Sequence, residues 1–248
     1  MHITLRSDPA VPGADEDAAG MLGEVAVVLD GAGLPPRFRA GCHHSVAWYS
    51  HTLAARLLLA AQDRALTLAG ALARAIDEVR ALHERECDLA AGSPSATVVA
   101  VRRDGDELEH LVLCDSSLLL EREDGSVSRI TDLRVDEVVR RERSAEAIEA
   151  RRNAPGGFWV ARHEPEAADQ ALLDRAPLAD LTAVHLVSDG ITRAVDLLGL
   201  HRDASLARAL SEDPGAVLAG IRRAEEALPP ERRPRKRHDD ATVLTWRP

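Results

Sequence analysis

The sequence predicts an α+β fold with segregated layers, on three observations. Short apolar runs stop at Asp-Gly pairs, two long helical stripes follow one another with no strand between them, and a strand meander fills the middle of the chain. A Rossmann-type alternation of strand and helix does not fit that order. Residues 22–30, Leu-Gly-Glu-Val-Ala-Val-Val-Leu-Asp, read as a buried strand that Asp30-Gly31 ends, and Pro35-Pro36 bars its continuation. Residues 45–61 carry Val46, Tyr49, Leu53, Leu57 and Leu58 at helical spacing, and 64–86 carry Leu68, Leu72, Ile76, Val79 and Leu82 along one face. Then the period changes to two. Strands are predicted at 97–101, 108–114 and 118–120, with turns at Asp104-Gly105 and Asp124-Gly125. A charge-rich helix is expected over 136–151, a short strand over 158–161 and a short helix over 164–174. An apolar strand over 183–187 ends at Ser188-Asp189-Gly190. Helices are expected over 203–228, a basic loop over 229–238, and a closing strand over 242–246.

Composition bounds the function. The chain has 248 residues, 45% of them hydrophobic and 29% charged, which suits one domain over 1–248 with a full core. Its net charge of -10 and 2% aromatic content argue against nucleic-acid binding or an anionic membrane surface. No run approaches the ~20 apolar residues of a membrane span, and Met1 to Asp8 lacks the layout of a signal peptide. The widely spaced Cys42, Cys87 and Cys114 fit free thiols in a reducing, cytoplasmic setting, and no Cys-x-x-Cys suggests a zinc ribbon. His43-His44 and His51 have no third ligand nearby in sequence, so they read as a helix start and an exposed face. His185 reads as a core histidine, Trp159 as a packing anchor and Ser188 as a turn residue. A monomer is expected.

The acidic residues are placed more tellingly. Asp30, Asp115 and Asp189 end strands, Asp239-Asp240 starts the last one, and Asp15-Glu16-Asp17 precedes the hairpin that leads to Asp30. Any one Asp-Gly is an ordinary turn. Several on separate strands, each interrupting an apolar run, make a set. Carboxylates gathered without a partner are costly to bury, by several kcal/mol each, so their convergence calls for a cation. Oxygen-only ligation suits Mg²⁺ or Mn²⁺ better than zinc.

In these residues the chain resembles the metal-dependent protein phosphatases of the protein phosphatase 2C type. Glu16-Asp17-Ala18 matches the family's opening motif and Val28-Leu29-Asp30-Gly31-Ala32-Gly33 its V-x-D-G-x-G turn. Ser93-Pro94-Ser95-Ala96-Thr97 is similar to G-[ST]-[ST]-A-x, and Leu113-Cys114-Asp115-Ser116 to G-D-S-R. Leu186 to Thr192 corresponds to L-x-S-D-G-L-x, and Asp239 to Val243 to D-[ND]-x-[ST]-V. The six lie in the family's order across nearly the whole chain.

The resemblance implies a four-layer α-β-β-α sandwich of two central antiparallel sheets, with a centre for two Mn²⁺ or Mg²⁺ ions at one end. Asp30 and the Gly31 carbonyl would bind metal, Glu16 would hold one side with Asp17 nearby, and Asp189 and Asp239, followed by Asp240, would hold the other. The activity implied is hydrolysis of phosphoserine or phosphothreonine in a protein substrate by a metal-activated water, with Asp30, Asp189 and Asp239 as the catalytic set. A weakly active or inactive phosphatase-like module that binds a regulatory or phosphorylated partner is the alternative.

Three positions depart from the pattern. Pro12 stands where the family's phosphate-binding Arg is usual, Ser117 replaces the Arg of G-D-S-R, and Arg193 replaces the Asp of a third metal site, which weakens such a site on Asp115. Arg193, or an arginine of the loop Glu231 to Arg237, is the candidate for the missing phosphate contact.

Overall fold

The computed structural model describes residues 2–32, 35–234 and 236–248; Gly33 and Leu34 of the first turn region and Arg235 of the basic loop lie outside them. The strands are β1 (His2–Asp8), β2 (Ala18–Leu22), β3 (Val25–Leu29), β4 (Val98–Asp104), β5 (Glu107–Leu113), β6 (Ser117–Arg122), β7 (Val127–Ile130), β8 (Leu172–Pro177), β9 (Leu181–Val187) and β10 (Ala241–Arg247). The α-helices are α1 (Val46–Ala60), α2 (Leu68–His83), α3 (Arg134–Arg141), α4 (Ala145–Glu149), α5 (Asp189–Asp196), α6 (Asp203–Glu212) and α7 (Pro214–Ala227).

Two five-stranded sheets form, in the orders β1-β10-β9-β6-β7 and β2-β3-β4-β5-β8, and every pairing between these strands is antiparallel. The period of two along β3 sets the layers. Val25, Val27 and Leu29 point to α1 and α2, together with Leu53, Leu57, Leu72 and Ile76. Ala26 and Val28 point the other way, into a core shared with Leu118, Leu186, Leu244 and Trp246 of the second sheet. Behind that sheet, Val187 and Val243 pack on Ile191, Leu206 and Ile221 of α5 to α7. The result is the expected α-β-β-α sandwich.

Local chemistry explains the helix starts. Ser45, Thr67 and Asp213 accept hydrogen bonds from the third residue beyond, and Pro214 opens α7 where a missing N–H is harmless. A buried ion pair joins the layers: Arg102 on β4 reaches Glu109 on β5 at 2.7 Å and the Leu66 carbonyl at 2.8 Å, while Glu109 accepts the Leu68 N–H that starts α2.

The structure departs from several sequence expectations. β1 and β8 are edge strands with mostly solvated side chains, so neither shows an apolar run. The predicted 22–30 strand is the return half of a hairpin turning at Gly23, and Leu22 belongs to β2. The 136–151 helix is broken into α3 and α4, while the helices expected over 203–228 form as α6 and α7, meeting at Asp213-Pro214. Residues 164–174 hold a 3₁₀ turn and the start of β8. Of the 158–161 strand only isolated bridges at Phe158 and Ala161 form, and α5 occupies residues with no predicted element. His185 is buried with Nδ1 2.9 Å from the Thr245 hydroxyl, as a core histidine should be.

Candidate metal centre

Strand register brings the acidic segments together. Ala18 pairs with Leu29, so Asp17 and Asp30 leave the same end of the β2–β3 hairpin. Val187 pairs with both Val243 and Ser117, so Asp189, Asp239 and Asp115 emerge at the corresponding end of the other sheet. Asp115 lies where the chain crosses from one sheet to the other, after β5 and before β6. Two glycines permit the close approach. A Cβ on Gly31 would sit 2.6 Å from the Glu16 carbonyl oxygen, and one on Gly190 would sit 2.0 Å from that of Asp240. Each glycine therefore lets one acidic segment lie directly against another.

The electrostatics report the crowding. Burial first, and then the charges of Asp189, Asp17, Asp115 and Asp239, push the Asp30 carboxyl well above the usual range. Burial, with Asp115 and Asp239, pushes Asp189 up to about 7. Asp17 is pushed up to about 8, chiefly by burial; the Ser188 and Thr242 hydroxyls nearby pull it down, Asp240 and Asp15 push it up, and no donor makes a hydrogen bond of good geometry to either buried oxygen. Glu16 and Asp115 are raised as well, chiefly by burial. Such a set of hard oxygen donors, two of them orphaned, fits a Mg²⁺ or Mn²⁺ pair, since cations would relieve the mutual repulsion.

Neighbouring polar groups hold the acids in place. The Asp30 N–H donates to the Thr97 hydroxyl at 3.3 Å, and the Thr97 N–H donates to the Asp30 carbonyl at 2.8 Å. Thr97 in turn meets the Ser116 hydroxyl at 2.5 Å. Asp240, a candidate ligand by sequence, does not line the cleft: its two carboxylate oxygens accept the backbone N–H groups of Ala10 at 2.7 Å and Glu16 at 2.8 Å, which ties the opening motif to the closing strand. Cys114 stands where the family pattern has glycine, and its φ is 68°, a region glycine enters more easily.

Cations flank one side. Arg193 donates to Asp239 at 2.5 Å and to the fully buried Glu225 at 2.8 Å, and Lys236 reaches the other Asp239 oxygen at 3.0 Å. The guanidinium is thus committed to two carboxylates. A cleft of about 510 Å³ opens over Asp30, Gly31, Asp115, Asp189 and Asp239, with Lys236 and Arg152 on its wall. Sequence reasoning did not single out Lys236, although it is the sole lysine in the chain and lies three residues before Asp239. Thr97 and Arg152 carried no signal of their own.

A two-sheet sandwich with carboxyls gathered at one end is the arrangement expected of a metal-dependent phosphatase. The family model for protein phosphatase 2C matches residues 14–214, and the chain belongs to that family of serine/threonine phosphatases. Among solved structures, the serine/threonine phosphatase PstP/Ppp of Mycobacterium tuberculosis is 20% identical with a TM-score of 0.61, over 98% of this chain and 97% of that one. The PstP catalytic domain in complex with two manganese ions is 20% identical with a TM-score of 0.59, over 98% and 96%. Stp1 of Staphylococcus aureus is 14% identical with a TM-score of 0.64, over 99% and 94%. No curated protein matches the sequence. No helix among the described residues is long and apolar enough to cross a membrane.

Proposed function

We propose that this chain hydrolyses phosphoserine and phosphothreonine esters of protein substrates, using Mn²⁺ or Mg²⁺ held by Glu16, Asp17, Asp30, the Gly31 carbonyl, Asp189 and Asp239, with Asp115 at the margin. The observation that supports this best is the gathering of Asp30, Asp115, Asp189 and Asp239 from separate strand ends on one cleft, with the buried Asp17 behind it, beside Asp15 and Asp240. When bound, the ions supply an activated water and offset charge on the phosphoryl oxygens.

The chain's own residues do the rest. Thr97 bonds the Asp30 backbone through both its hydroxyl and its N–H, which fixes the point from which the central carboxylate projects. Asp240 positions Glu16 through its backbone N–H. Arg193 holds Asp239 against the buried Glu225 and acts as a positioning residue. Lys236, on the cleft wall, is the cation better placed to attract a substrate phosphate once metal takes over Asp239. The same cleft wall carries Val135, Val139 and Ile148, an apolar edge for the substrate backbone.

The test is turnover of a phosphothreonine peptide with and without Mn²⁺, in wild type and in Asp30→Asn and Asp189→Asn. Each substitution should lower metal-dependent kcat/KM by at least about 10²-fold, since several kcal/mol of charge stabilisation is removed. Equal rates in wild type and variants would refute the assignment.

A further inference from the structure

We propose that Cys42, His44, His83 and Cys87 form a second metal site, a closed Cys₂His₂ centre of the zinc type on the helical layer. Their ligand atoms all lie within 4.8 Å of one another. The Cys42 sulfur is 3.3 Å from His83 Nδ1 and 3.5 Å from His44 Nδ1, and the Cys87 sulfur is 3.5 Å from His44 Nδ1. Zinc bonds of ~2.3 Å to sulfur and ~2.0 Å to nitrogen put the sulfur–nitrogen edges of a tetrahedron at ~3.5 Å. The observed edges match. The two sulfurs are 2.8 Å apart, against a tetrahedral edge of ~3.8 Å and a disulfide bond of ~2.05 Å, so they open by about an ångström to admit the ion.

Surrounding structure presents these four groups together. Cys87 sits one helical turn past His83, its N–H bonded to the His83 carbonyl at 3.0 Å, so both side chains leave one face of the α2 terminus. Cys42 and His44 lie on the segment that leads into α1. The two segments are clamped by the Asp88 N–H on the Gly41 carbonyl at 2.8 Å, and a Cβ on Gly41 would meet the Asp88 carbonyl oxygen at 1.9 Å. Trp48 covers the outer side, its ring 4.0 Å from that of His44 and 5.2 Å from that of His83. His83 Nε2 is buried with no partner, which keeps that ring from being a satisfied core histidine. His43 lies at the rim, Nδ1 3.7 Å from the Cys87 sulfur, but its side chain is 63% exposed and turned towards Glu86.

Two thiols and two neutral imidazoles take up Zn²⁺ with release of two protons, leaving a neutral site. Four protein ligands leave no open position, so the ion is structural. It would fasten the segment that follows the Asp30-Gly31 turn to the end of α2. Its sulfur and nitrogen donors separate it chemically from the oxygen-only centre, and the proposal stands independently of the phosphatase chemistry.

The decisive measurement is elemental analysis of protein purified under reducing conditions after growth with zinc. About one zinc per chain is expected, unchanged in Asp30→Asn and reduced at least about tenfold in Cys42→Ser and Cys87→Ser. Because those variants could unfold, Co²⁺ is also titrated into the reduced, metal-stripped wild type, where thiolate-to-cobalt charge transfer and strong tetrahedral visible bands are expected. No zinc and no thiolate–cobalt band in wild type would overturn the proposal. So would a peptide map showing Cys42 disulfide-linked to Cys87 in the reduced preparation.

Discussion

Replacing Asp17 with asparagine should stabilise the metal-free protein while abolishing its response to metal. Asp17 is 3% exposed, neither oxygen receives a hydrogen bond of good geometry, and burial pushes its carboxyl from 3.8 up to about 8 despite the nearby Ser188 and Thr242 hydroxyls. The folded state therefore holds a proton that the unfolded chain releases near pH 4. Stability associated with this group is fully present below pH 4 and is lost as pH rises through about 8. At ~1.4 kcal/mol per pKa unit the full penalty would be about 6 kcal/mol. Sharing of protons with neighbouring acids and the unsatisfied amide of asparagine together leave about 2–3 kcal/mol of net gain. For a chain of this size that is a rise in Tm of roughly 4–12 °C at pH 9 in chelator, and almost none at pH 5. Manganese reverses the order. Saturation at about 100 times Kd adds ~2.7 kcal/mol to wild type, or roughly 5–10 °C, and little to the variant. Thermal melts at the two pH values, with chelator or Mn²⁺, decide the matter. A variant less stable than wild type at pH 9 in chelator would refute the reasoning, because the carboxylate would then be stabilised by its surroundings.

Other outcomes follow from the same geometry. Gly190→Ala places a Cβ against backbone of the closing strand, so Tm should fall by several °C for ~1–3 kcal/mol of overpacking and Mn²⁺ affinity should drop with it; calorimetry reads both. Thr97→Val leaves the Asp30 N–H and Ser116 hydroxyl short of a partner, costing about 1–3 kcal/mol in denaturant melts. Arg193→Ala should weaken Mn²⁺ binding and destabilise by about 1–3 kcal/mol, with Arg193→Lys restoring only part, because one ammonium cannot bridge Asp239 and Glu225 as a guanidinium does. Arg102→Ala should cost about 3–5 kcal/mol in stability while kcat of the remaining folded protein stays unchanged, since Glu109 is left buried and unpaired far from the cleft.

Much of the oxygen centre was legible because each acid interrupts an apolar run. The Asp-Gly after Val-Ala-Val-Val-Leu would by itself be a turn; it became informative only because Asp115, Asp189 and Asp239-Asp240 stand at other strand ends. Convergence itself was not legible: Asp115 joins the others only through the crossover between sheets. The edge strands β1 and β8 escaped because one-sided solvent exposure leaves no apolar run to read. The Cys/His cluster escaped for another reason. Cys42-x-His44 and His83-x₃-Cys87 are each ordinary in sequence, and only the antiparallel packing of α1 on α2 sets one pair on the other.

The pairing of the first strand with the last has a consequence for synthesis. Asp8 lies beside Ala241, Ser7 shares a hydroxyl contact with Thr242, and Asp240 grips the segment carrying Glu16 and Asp17. The acids nearest the amino terminus therefore wait on a ribosome that has still to add more than two hundred residues before they meet Asp239 and Asp240. A chain cut short before β10 still carries every one of these acids but lacks the strand that pairs with β1 and β9 and sets Asp239 and Asp240 against the others. The acidic segments from the two ends of the chain therefore reach their folded register only once the final strand has been made and has paired with both β1 and β9.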